Sequence, residues 1–143
     1  APFLLLAWKA RHKAHFREET SLAVVLDHHI IPARDSEQSA KFLAGILGLP
    51  YEGKHGNFAP VKVGDTILDF STRPEVPRLH YAFKVSEEEF DGVVARLKQD
   101  EIEFGSEHDG TYNFAINERA GGRGLYFPDP CGHSWEVITA TYQ

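Results

Sequence analysis

Apolar residues in this chain recur with two periods, one of a helix and one of a strand. Leu22 to Ala33 is a β-rich apolar run interrupted by Asp27-His28-His29. Phe42, Leu43, Ile46 and Leu47 then fall at the three- and four-residue spacing of an amphipathic helix. Asp35 offers its N-cap, with Gln38 at capping-box distance, and Gly48 suits its C-terminal end. Phe58 to Val63 and Thr66 to Phe70 alternate around Gly64-Asp65, which predicts a hairpin. Arg73 to Arg78 contains two prolines and no period, and reads as a linker.

The pattern then begins again. Leu79 to Val85 predicts a strand, and Ser86 with Glu89 forms a capping box ahead of Phe90, Val93, Val94 and Leu97 at helical spacing. Ile102 to Gly105 and a polar, glycine-containing segment to Arg123 follow. The chain closes on a hairpin, Gly124 to Ile138, turning at Asp129-Pro130-Cys131-Gly132. His80 stands 52 positions after His28 (80 − 28), and Gly105 stands at the same offset from Gly53. Each half therefore reads as strand, helix and short strands. The fold class is α+β: two βαβββ modules, about residues 23–75 and 78–141, forming a curved mixed sheet. The helices cover its outer face, and the opposite face is a concave cleft.

Alternation decides what faces that cleft. Tyr81, Phe83 and Val85 form the large apolar set of their strand, which leaves His80, Ala82 and Lys84 for the cleft. Trp135 and Val137 likewise leave Glu136 there. His28 and His29 are adjacent and point opposite ways; the repeat matches His28 to His80 and so turns His28 to the cleft. A carboxylate in an apolar strand costs several kcal/mol to bury unless it is paired. Two imidazoles and a carboxylate form a set that binds Fe(II), Mn(II), Zn(II) or Ni(II) with positions left open. The bland alternative is a Glu–His hydrogen bond without metal.

Composition narrows the partners. Of 143 residues, 42% are hydrophobic and 25% charged, the profile of one globular domain. A formal charge of −6 argues against nucleic acid and anionic membrane surfaces. The single cysteine, Cys131, excludes an internal disulfide framework and suits a reducing cytoplasm. Residues 1–22 place an apolar stretch before a basic one that holds His12 and His15, the reverse of a secretory signal. They read as an extension outside the fold, either docked on a partner subunit or left over from expression.

Three segments resemble the vicinal oxygen chelate superfamily, which includes glyoxalase I, bleomycin-resistance proteins, fosfomycin-resistance enzymes and extradiol dioxygenases. They are Leu26-Asp27-His28 with the helix after it, His80-Tyr81-Ala82-Phe83, and Tyr126 through Glu136. The resemblance covers about residues 25–141. It implies metal ligands on the first, fifth and eighth strands, His28, His80 and Glu136, and a fourth ligand or ligand-orienting acid at Asp69. It also implies that Tyr126 contacts substrate, and that Glu136 and Tyr126 are the catalytic residues.

Two further readings come from the residues themselves. Arg119 and Arg123 flank glycines beside the cleft and could clamp a substrate anion or form an ordinary loop. The segment from Gly105 to Gly122 is long enough for a lid. His133 reads as a solvated or turn-bonding histidine and Cys131 as inert. The function expected is a divalent-metal enzyme, a homodimer acting on a small molecule with vicinal oxygens, with a lyase or isomerase favoured over a dioxygenase. The alternatives are a metal-free antibiotic-binding protein and a fosfomycin-type thiol transferase. The segment before Arg123 departs from the latter, being acidic at its start.

Overall fold

The computed structural model describes residues 24–142; the 1–22 extension, with His12 and His15, lies outside the described residues. The first half holds β1 (His28–Ala33), α1 (Ser36–Leu47), β2 (Phe58–Val63) and β3 (Thr66–Thr72). The second repeats it with β4 (His80–Lys84), α2 (Glu87–Gln99), β5 (Gly124–Pro128) and β6 (Ser134–Ile138). Each half makes a three-stranded sheet of the same topology, β1-β3-β2 and β4-β6-β5. In both, the first strand runs parallel to the last, and the last pairs antiparallel with the one before it.

The caps form where the sequence places them. The Asp35 carboxylate accepts the Gln38 amide at 3.0 Å, and Gly48 closes α1 at φ 71°. Ser86 and Glu89 complete both halves of the capping box of α2. The extra short strand expected in each module is reduced to a single bridge, His55 with Phe58 and Gly105 with Tyr126. In the first half Gly53 and Gly56 take left-handed φ values of 98° and 59°, bending the chain before a ladder can extend. In the second, the Asn113 side chain accepts the Ser106 amide at 3.0 Å, so the next backbone donor is diverted from the sheet.

Burial follows the expected alternation. Ile31, Ala33, Ala59, Val61 and Phe70 on one sheet, and Leu125, Phe127, Trp135 and Val137 on the other, are fully buried. These core faces meet. Phe70 packs on Trp135 with ring centroids 6.2 Å apart, and Phe42 of α1 packs on Phe127 at 6.3 Å. His29, on the core side as expected, hydrogen-bonds the Tyr81 hydroxyl across the junction. Arg96 of α2 donates from Nε to the Ile46 carbonyl at 2.8 Å, tying the two helices together. Since the core faces meet, the opposite face of each sheet is turned away from that shared core.

Candidate metal centre

The outward face of the second sheet carries His80 and Ala82 from β4, Glu136 and Ile138 from β6, and Tyr126 from β5. His80 Nδ1 lies 3.2 Å from the Ser134 carbonyl oxygen, and its Nε2 lies 3.1 Å from Glu136 Oε2. A carbonyl can only accept, so Nδ1 carries the proton. In a neutral ring Nε2 then presents a lone pair to a carboxylate that also only accepts. Two acceptors facing each other at this distance call for a cation between them, either a proton or a metal. The spacing fits a metal: two ligands about 2.1 Å from one cation, at roughly a right angle, stand about 3 Å apart. The backbone carbonyl on Nδ1 is the usual device for orienting a ligating imidazole.

The first sheet offers a matching set on its own outward face. Ile30 pairs with Asp69 there as Ala82 pairs with Glu136, so Asp69 occupies the position that Glu136 holds in the second half. His28 is exposed and hydrogen-bonds Asp27 Oδ2 through Nδ1 at 2.8 Å, again leaving Nε2 open. The Asp27 hydrogen bond holds the His28 pKa above the ordinary histidine value, and the charge of Asp69 adds to it. Among the described residues of one chain, no three His, Cys, Asp or Glu side chains converge. His80 and Glu136 meet, while His28 and Asp69 lie on the other sheet.

Tyr126 is buried beside Glu136, and that burial, followed by the carboxylate's charge, pushes its phenol pKa up and keeps it protonated. Arg119 Nη1 donates to the Tyr126 hydroxyl at 3.3 Å, and Nη2 pairs with Glu107 at 2.5 Å. A cleft of about 620 Å³ opens here, its walls including Ala82, Arg119, Tyr126, Glu136 and Ile138.

Residues 25–137 match the family model described as the Glyoxalase/Bleomycin resistance protein/Dioxygenase superfamily. The chain belongs to this superfamily. Among solved structures it is similar to Oxidase ChaP-H2, at 38% identity and TM-score 0.80, over 85% of this chain and 97% of that one. Oxidase ChaP-H1 is similar at 40% identity and TM-score 0.79, over 83% and 98%. The metallothiol transferase FosB of Lysinibacillus sphaericus (strain C3-41) is 28% identical over 125 residues, 82% of this chain and 84% of that protein.

The long segment after Gly105 departs most from the sequence-based expectations for this superfamily member. Two of its glycines, Gly105 and Gly122, are tightly packed: a Cβ on Gly122 would lie 2.6 Å from Thr139 Oγ1 and 2.9 Å from the Ala140 backbone nitrogen. Both arginines line the cleft, but Arg123 also pairs with Glu87 at 2.6 Å and Asp91 at 2.8 Å and lies 4.5 Å over the Phe90 ring, fastening β5 to α2. The segment also delivers His108, which packs edge-on against His80 at 4.4 Å and against Tyr126 at 5.5 Å. Nothing in the hydrophobic pattern marks His108, because it sits in an aperiodic polar stretch.

His133 is fully buried rather than solvated. Its Nε2 donates to the Pro32 carbonyl at 2.7 Å, and its Nδ1 accepts the Leu79 amide at 3.0 Å. Cys131 accepts the Arg34 amide at 3.2 Å at the same junction and lies 3.5 Å from the Ser39 hydroxyl.

Proposed function

We propose that the protein is a divalent-metal-dependent enzyme of oxidase type that acts on a small molecule bearing adjacent oxygens. The observation that carries the metal reading is the 3.1 Å approach of His80 Nε2 to Glu136 Oε2, with Nδ1 already turned to the Ser134 carbonyl. The similarity at 38–40% identity to two proteins named as oxidases favours oxidation over the lyase or isomerase chemistry that the sequence alone suggests. A cation held at His80 and Glu136 supplies Lewis acidity and a template for neighbouring substrate oxygens. The chain's own residues do the rest. Ala82 and Ile138 give the cleft an apolar floor, and Arg119 directs positive charge at an anionic oxygen.

The ligand set is completed across two copies of the chain. The two outward faces carry matching histidine and acid pairs, and among the described residues of one chain no three such side chains converge. A homodimer that lays the first sheet of one copy over the second sheet of the other brings His28 and Asp69 to His80 and Glu136. In that arrangement Asp69, shorter than a glutamate, is a weak fourth ligand or orients an imidazole.

Metal analysis of purified protein tests the centre: wild type is expected to hold stoichiometric metal, and His80→Ala none. Background metal in both samples sinks the reading. Mixing His28→Ala with Glu136→Ala chains tests completion across copies, because a heterodimer then regains one intact site. If metal binding does not recover on mixing, the centre lies within a single chain. Oxygen uptake that follows the bound metal separates an oxidase from the thiol transferase reading that the FosB similarity suggests.

A further inference from the structure

The side chains beside His80 form a polar row: Glu107 to Arg119 at 2.5 Å, Arg119 to Tyr126 at 3.3 Å, Tyr126 beside its register partner Glu136, and Glu136 to His80 at 3.1 Å. A guanidinium has donors only. Where Arg119 Nη1 meets the Tyr126 hydroxyl, the phenol oxygen must therefore accept, and its one proton must point elsewhere. The register pairs Tyr126 with Glu136 on the same face of adjacent antiparallel strands, and the carboxylate is the acceptor within reach.

The turn presenting Arg119 is built to hold it in place. Asn117 exchanges both backbone hydrogen bonds with Gly124, at 2.9 and 3.0 Å, and its side-chain oxygen accepts the Arg119 amide at 3.3 Å. A Cβ on Gly124 would lie 2.8 Å from that same Asn117 oxygen, so the turn closes directly on the strand that carries Tyr126. Ala120 adopts φ 55°, a conformation that L-residues rarely take and that persists only where surrounding contacts enforce it.

We infer that Arg119 is a positioning residue: it commits the Tyr126 proton to Glu136 and thereby fixes the carboxylate that faces His80. The role rests on the metal-centre reading given above. It also removes Tyr126 as the donor to a substrate oxyanion and leaves Arg119, with its remaining N–H groups, as the group that meets one. Glu107, on the same segment as His108, holds the far side of the guanidinium. The guanidinium thus links that segment to the tyrosine beside the carboxylate.

The test is calorimetric titration of Mn²⁺ alone into the full-length protein, with thermal unfolding measured in parallel. Arg119→Ala and Tyr126→Phe are each expected to weaken Mn²⁺ binding about tenfold, the scale for groups that orient a ligand. The double variant is expected to lose no more than Tyr126→Phe alone, and Arg119→Lys to recover most of the affinity. The unfolding midpoint of Arg119→Ala should stay at the wild-type value, since Arg119 is half exposed. Wild-type affinity in Arg119→Ala, losses that multiply in the double variant, or a loss that tracks a lowered unfolding midpoint each overturn the positioning role alone. A wild-type protein that binds no Mn²⁺ overturns the metal centre and this role with it.

Discussion

His133 joins the two halves of the chain beside the candidate metal centre, and replacing it should cost far more than its single position suggests. Its ring is 0% exposed and bridges the Leu79 amide of the second half and the Pro32 carbonyl of the first. His133→Leu keeps an apolar side chain of comparable bulk but leaves that amide and carbonyl without partners. A buried polar group stripped of its partner costs about 1–3 kcal/mol, so the pair is worth about 2–6 kcal/mol. Against a typical stability of about 5–15 kcal/mol this is a large fraction. With a urea dependence of about 1–3 kcal/mol per molar, the unfolding midpoint should fall by about 1–3 M. His133→Gln, which retains one donor and one acceptor, should fall between the two. The same change should also loosen the centre, because Leu79 precedes His80 and Ser134, whose carbonyl orients that imidazole, follows His133. Equilibrium urea unfolding measures the first effect and Mn²⁺ titration the second. A His133→Leu protein within about 0.5 kcal/mol of wild type would refute the two-bond account, since that is the ordinary scatter of surface substitutions.

Other perturbations give outcomes of a different kind. The Ser86 amide holds the Glu89 carboxyl below its ordinary pKa, so its contribution is present above the unfolded value and is lost as pH falls through the folded one. Glu89→Gln should therefore flatten the acid limb of stability between about pH 5 and about pH 3, read from urea midpoints along that range. Gly105→Ala would set a Cβ 2.4 Å from the Thr111 carbonyl oxygen, and relieving that clash should cost about 1–3 kcal/mol and lift the segment carrying His108. Limited proteolysis should then cut between residues 106 and 116 faster than in wild type. Arg123→Ala should lower thermal stability modestly, by an amount that shrinks with added salt, while leaving Mn²⁺ affinity unchanged, because its partners are Glu87 and Asp91.

Much of the fold is written in periodicity. Trp135 and Val137 point to the core, and Glu136 points away, because an alternating strand cannot do otherwise. The adjacent His28 and His29 resolve in the same manner once the repeat aligns His28 with His80. Three matters are not legible this way. His133 is flanked by turn residues and looks solvated in sequence; its burial follows from the packing of β1 against the closing hairpin, a contact about a hundred residues apart. His108 belongs to an aperiodic segment whose course is set by Asn113 and Asn117 side chains taking backbone hydrogen bonds. The direction in which two sheets face each other has no signature in either sheet's own pattern, since the alternation is the same whether the open faces converge or diverge.

The halves differ where the chemistry is concentrated. Each outward face begins with the same kit, a histidine on the first strand and an acid on the last: His28 with Asp69, and His80 with Glu136. Opposite the acid, the first half has Pro60, and the second has Tyr126. Between helix and hairpin the first half needs only residues 48–57, whereas the second uses residues 100–123 and thereby brings Glu107, His108 and Arg119 over its own face. A proline can donate nothing to Asp69, whereas Glu136 stands opposite a tyrosine hydroxyl. Replacing Pro60 with tyrosine alone should therefore fail to make Asp69 a strong ligand. Without an arginine beside it, the new hydroxyl is free to rotate, and its proton is not committed to the carboxylate. On the proposed reading, this asymmetry suits the second half to hold a cation and shape the cleft, and the first half to lend ligands from a facing copy.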